Sequence, residues 1–136
     1  MDNHFEKVKN YLLDLDYNII HANEEDGVLW VENEEAGIYN LVVGCADPIL
    51  IMEQFLFELS DTSAEVYKNL LIKNRDIIHG AFVLDETGKR VIFRDTLQLE
   101  NLDQNELEGS LNSLALLLSE YMEELIKFST ENTVKA

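Results

Sequence analysis

The stretch from Tyr17 to Phe57 constrains this chain more than any other. Short β-rich runs alternate there with turn signals. Tyr17 to His21 and Val28 to Glu32 flank the turn Glu25-Asp26-Gly27. Glu34-Glu35-Ala36-Gly37 then leads into Ile38 to Cys45. Runs this short, joined by so few residues, pair with antiparallel neighbours and read as a meander. Strict alternation within the third run puts Tyr39, Leu41 and Val43 on one face and Ile38 and Val42 on the other. Asp47-Pro48 interrupts the pattern, because proline cannot donate to a ladder. Ile49 to Phe57 reads as a fourth strand, with a helix as the alternative.

Helical periodicity frames these strands. Asn3 followed by Glu6 has capping-box spacing, and Phe5, Val8, Leu12 and Leu15 then share one face, with a stop expected by Asp16. A second helix is predicted from Thr62, with Glu65 three residues on, to about Asn74–Asp76. Ile78 to Leu84 and Arg90 to Leu97 flank the turn Asp85-Glu86-Thr87-Gly88-Lys89 and predict a hairpin. The last helix, from Gln104 to about Phe128, carries the stripe Leu107, Leu111, Leu114, Leu118, Met122 and Leu125 behind an Asp103 cap. Leu102 and Leu107 stand at the two ends of a hydrophobic staple. Leu116, Leu117 and Ile126 widen its apolar face, so it calls for burial on two sides. The order is α-β-β-β-β-α-β-β-α, an α+β fold with a mostly antiparallel sheet and helices packed on one face. A single domain over residues 1–128 and a polar tail over 129–136 are expected.

Charge narrows the function. Twenty-seven acids against ten bases give a net charge of −17 over 136 residues, where small domains usually carry about 2–8 in magnitude. From Asn10 to Tyr67, 58 residues hold 13 acids and no lysine or arginine. Nucleic-acid phosphates and anionic membranes would be repelled, and a basic or amphipathic partner would be attracted. There is no apolar signal-peptide core in the opening residues and no run long enough to span a membrane, so a cytoplasmic location is expected.

Catalytic patterns are missing. His4, His21 and His79 have no metal-ligand spacing, and the lone Cys45 reads as a small buried hydrophobe. Asn23-Glu24-Glu25-Asp26-Gly27 fails as a calcium loop, because Ala22 and Asn33 fall where carboxylates are required. The carboxylate pairs Asp14/Asp16 and Glu34/Glu35 read as solvated acids, and no phosphate-binding glycine loop is present. The expectation is no enzyme, no cofactor and no metal. Val28 to Val31 and Ile49 to Met52, in contrast, are apolar on both strand faces. Helices on one side would leave the other set as an apolar patch for a partner or a dimer. The partner-binding candidates from this patterning are Trp30, Val28, Tyr39, Leu41, Phe55 and Phe57.

The first helix (Phe5 to Leu15), the strand series through Val28-Leu29-Trp30-Val31 and Ile38 to Cys45, and the run Asp47 to Gln54 carry a family likeness. With the hairpin Gly80 to Leu97 and the long last helix, the chain resembles the type III secretion chaperone-like proteins, in particular the YbjN-like and Tir-chaperone (CesT-type) members. One departure is the very apolar Ile49 to Phe57, an extra strand that would fill the surface where a client lies. The resemblance implies a small acidic homodimer that holds an extended client segment through apolar sheet surface and strand addition. The alternatives are a YbjN-like regulatory or stress adaptor unrelated to secretion, and an acidic inhibitor or immunity protein.

Overall fold

The computed structural model describes residues 3–60 and 62–125. The first helix, α1 (His4–Asp14), starts as its cap dictates: Asn3 Oδ1 accepts the Glu6 N–H at 3.0 Å. It ends in a Schellman turn. Asp16 takes a φ of 68°, the Tyr17 N–H donates to the Leu12 carbonyl at 2.9 Å, and the Asp16 N–H donates to Leu13 at 3.1 Å. Leu12 and Tyr17 are both buried at this corner, and burial pushes the Tyr17 phenol up to about 12.

Four strands follow in hairpins: β1 (Asn18–Asn23), β2 (Val28–Asn33), β3 (Ile38–Ala46) and β4 (Ile49–Glu58). The Ile49 segment is therefore a strand, reached from β3 through a tight turn whose Asp47–Pro48 peptide is cis. Helix α2 (Ala64–Lys73) begins two residues after Thr62, with Ser63 at the cap position, and runs into a 3₁₀ turn, Asn74–Asp76. The second hairpin is β5 (Ala81–Leu84) and β6 (Arg90–Gln98), and α3 (Gln104–Leu125) closes the described chain. Ile78, expected in the fifth strand, precedes it and is exposed. The tail expected over 129–136, and the helix residues expected from Ile126 to Phe128, lie outside the described residues.

The six strands form one antiparallel sheet in the order β1-β2-β3-β4-β6-β5. All three helices bury their apolar faces in one core. Phe5, Val8 and Leu12 of α1, Val66 and Leu70 of α2, and Leu107, Leu111, Leu114 and Leu117 of α3 join Leu29, Val31, Leu41, Val43, Leu50, Met52, Val91 and Phe93 of the sheet. Two side chains of α1 tie it to the loop before α3: Tyr11 Oη donates to the Leu102 carbonyl and Lys7 Nζ to that of Leu99, each at 3.2 Å. Asp103 caps α3 by accepting the Glu106 N–H at 2.8 Å, and Leu102 and Leu107 are buried as the staple requires. Ser110, fully buried on α3, donates to the Asp95 carboxylate on β6.

The sequence stripe of α3 needs one correction. Leu117, not Leu118, completes the fully buried row; Leu118 and Met122 are half-buried flanks, and Leu116 faces outward. At 3.6 residues per turn Leu117 lies about 80° around the helix from Leu107 and Leu118 only about 20°, so the buried face of α3 is wider than one row and extends to the Leu117 side. Leu114→Asp is expected to unfold the protein or cost about 3–5 kcal/mol, because its carboxylate would be buried unpaired. Asn112→Asp, which adds the same charge at an exposed position of the same helix, is expected to stay within about 0.5 kcal/mol of the parent. Urea melts of both variants check this, and equal midpoints would contradict the placement of the core.

Candidate functional site

Because the helices all pack on one side, the opposite side of the sheet is built by what the strands themselves present. The registers align into continuous rows. One row crosses all six strands: His21 opposite Trp30, Trp30 opposite Val42, Val42 opposite Glu53, Glu53 opposite Arg94, and Arg94 opposite Ala81. A second joins Phe55, Ile92 and Val83, and a third joins Val28, Gly44, Ile51 and Thr96. Trp30, Tyr39 and Phe55 are exposed to 42%, 47% and 45%. With Asn40, Val42 and Ile92 they line a shallow depression of about 530 Å³.

Charges are placed inside this apolar field rather than around it alone. Arg94 Nη1 meets Glu53 Oε2 at 2.7 Å, with both side chains about 40% exposed. A pair this open contributes at most about 1 kcal/mol to stability, so its place in the centre of the face matters more for recognition than for folding. Arg90 lies over the Phe55 ring, 4.1 Å from its centroid.

The six candidate residues divide. Trp30, Tyr39 and Phe55 stand on the open face, and Val28 shares it half-buried. Leu41 and Phe57 are on the covered face, in the core. Two β-bulges cause this. Between the pairs Val31–Leu41 and Asn33–Ile38, β3 carries one residue more than β2, and Asn40 takes a φ of 54° there. Tyr39 is thereby turned outward while Ile38 and Leu41 both turn inward. Between Phe55–Ile92 and Phe57–Val91, β4 carries the extra Leu56, so the two phenylalanines point to opposite faces. A bulge breaks the period of two that assigned these residues to shared faces. The residues missed were Val42, Ile51, Ile92 and the Glu53, Arg90 and Arg94 charges. Their signal is pairing register, which spacing within one run does not carry.

The expected extra strand does not cover the face. β4 lies inside the sheet between β3 and β6 and contributes Phe55 to the surface. The three histidines sit apart, on α1, on β1 and before β5. Among the described residues no group of three His, Cys, Asp or Glu could hold a metal. The acidic run at Asn23 is a turn: Asn23 Oδ1 accepts the Asp26 N–H at 3.1 Å, and Gly27 follows at a φ of 72°. A Cβ at Gly27 would stand 2.8 Å from the Cys45 carbonyl, so glycine is required there. No helix among the described residues is long and apolar enough to cross a membrane.

This fold and face can be set beside known proteins. Residues 1–131 match the CesT_Tir_1 family. The chain belongs to that family. No curated protein matches the sequence. Among solved structures, the HopA1–SchA chaperone–effector complex contains a chain of the same fold at 15% identity, covering 90% of this chain and 98% of that one, with a TM-score of 0.65. The ExoU–SpcU complex of the Pseudomonas aeruginosa type III secretion system gives 16% identity, 91% and 98% coverage, and a TM-score of 0.65. YbjN of E. coli, described as a putative transcription regulator, gives 11% identity, 85% and 88% coverage, and a TM-score of 0.64. The CesT_Tir_1 chain described here thus shares the secretion-chaperone fold, α+β with a six-stranded antiparallel sheet and three helices.

Cys45, on β3, is half-buried, and burial pushes its thiol from the ordinary 9.0 up to about 11. The unfolded thiol ionises first, so this group's contribution to stability is intact below pH 9.0 and is lost as pH rises towards about 11. A two-unit rise cuts the thiolate fraction about 100-fold at mildly alkaline pH. Alkylation is therefore expected to run about two orders of magnitude slower in the folded protein than in urea. Equal rates would contradict the buried setting of this thiol.

Proposed function

We propose that this chain is a non-catalytic binding protein that holds an extended polypeptide segment against its open sheet face, with strand addition at a sheet edge. The observation that carries the proposal is the exposed trio Trp30, Tyr39 and Phe55 on a face that no described helix covers. Half-exposed aromatics grouped on a rigid platform supply contact area at little entropic cost, and such residues dominate binding energy where they are found. The Glu53–Arg94 pair and Arg90 offer polar partners within reach of the same segment. The relatives in chaperone–effector complexes support a polypeptide as the partner. The acid-rich span from Asn10 to Tyr67, which contains β1 to β4, supports a partner with lysine or arginine flanking its apolar residues.

Homodimerisation is the second part of the proposal. Ile72 of α2, Ile78 and Leu116 are all exposed on the helix side of the molecule, with Ile78 at 83%. Apolar side chains in this number on a helix layer are consistent with cover by a second copy.

A tagged chain recovered from its own cells is expected to carry a specific polypeptide at stoichiometric yield. The triple variant Trp30→Ala, Tyr39→Ala, Phe55→Ala is expected to lose it while melting close to the parent, each aromatic contributing about tenfold or more in affinity. Binding by the parent is expected to weaken with added salt. A variant that binds as the parent does would remove the open face as the site. In light scattering, the particle is expected at twice the 15.6 kDa of one chain, falling to one chain for Ile78→Asp; a single-chain mass for the parent would end the dimer proposal.

A further inference from the structure

The sheet ends in two edge strands, β1 and β5. β5 reads Ala-Phe-Val-Leu, with neither the charge nor the proline that commonly keeps an edge from pairing with another chain. Its central residue is nevertheless closed. The Phe82 N–H donates to Asn74 Oδ1 at 2.8 Å, and the Phe82 carbonyl accepts from Asn74 Nδ2 at 3.2 Å. In an antiparallel ladder the N–H and C=O of one residue point to the same side. Both groups that a further strand would use at this position are therefore held by one side-chain amide, which offers the donor and acceptor of a peptide unit. Asn74 is delivered there by the 3₁₀ turn that ends α2, eight residues before Phe82.

We propose that Asn74 is an edge cap, a single side chain standing in for a seventh strand and barring β5 of a second copy. A second copy is the chain barred because an uncharged run of this kind pairs with itself antiparallel across a two-fold axis. Beside it, a groove of about 250 Å³ lined by Tyr67, Leu70, Leu71, Phe82 and Leu84 would reward such pairing with apolar contact. With β5 closed, β1 is the edge left for strand addition by a client. That consequence rests on the function proposed above; the cap itself does not.

Sedimentation velocity on Asn74→Ala, Asn74→Asp and the double variant Asn74→Ala, Leu84→Pro tests the cap without any client. Asn74→Ala is expected to sediment as a species about twice the parent's mass at matched concentration. Asn74→Asp keeps the acceptor on the Phe82 N–H and is expected to stay at the parent's mass. Leu84 lies two residues from Phe82, so its N–H also points away from β6, and proline there removes an edge donor without breaking the ladder. The double variant is expected to return to the parent's mass. Aggregation of Asn74→Ala that Leu84→Pro does not reverse, growth of Asn74→Asp to the same extent, or an Asn74→Ala species at the parent's mass would each overturn the proposal.

Discussion

Everything in this molecule follows from the covering of a six-stranded sheet on one face only. Leu29, Val31, Leu41, Val43, Leu50, Met52, Val91 and Phe93 form the sheet side of one core, and α1, α2 and α3 are all spent on covering it. Burial of apolar side chains is the main force holding the fold, at about 1.5–3 kcal/mol for each large one. No described helix remains for the other face. Its residues are therefore free of the packing constraints of the core, and the exposed aromatics Trp30, Tyr39 and Phe55 gather there.

The irregularities of the sheet decide which side chains reach that face. The bulge at Asn40 turns Tyr39 outward, and the bulge at Leu56 separates Phe55 from Phe57. Each sends one aromatic to the open face while keeping an apolar neighbour, Leu41 or Phe57, in the core. Bulges also add local twist, and here they lie on strands that border the depression between Trp30 and Phe55. The charges obey the same division. Glu53 and Arg94 oppose one another at the middle of the open face, while the Asp95 carboxylate is turned to the helix layer and is met there by the buried Ser110.

Much of this was legible in the chain. The order of elements, the cap at Asn3, the cap and staple at Asp103 and the one-sided helices all come from local signals: a side-chain oxygen three residues before a free N–H, and a periodicity of 3.6 or 2. The family likeness was also readable, because it rests on that same order. The faces of individual residues were not fully readable. A bulge inserts one residue and inverts the alternation beyond it, so Leu41 and Phe57 were assigned to the wrong side of the sheet. Asn40 carried a signal, since asparagine tolerates positive φ better than other residues with a side chain. Arg94 and Ile92 could not be read as part of the site, because only pairing across β4 and β6 brings them to Glu53 and Phe55.

The central claim, that a polypeptide partner lies on the uncovered sheet face, is tested most directly by contact mapping in the protein's own cells. A photoreactive amino acid is placed at position 30 or 55 on the open face, and at position 116 on the helix side. The account predicts that positions 30 and 55 both become joined to the same polypeptide, while position 116 joins at most a second copy of this chain. Capture of that polypeptide from position 116, with nothing attached at 30 or 55, would contradict it.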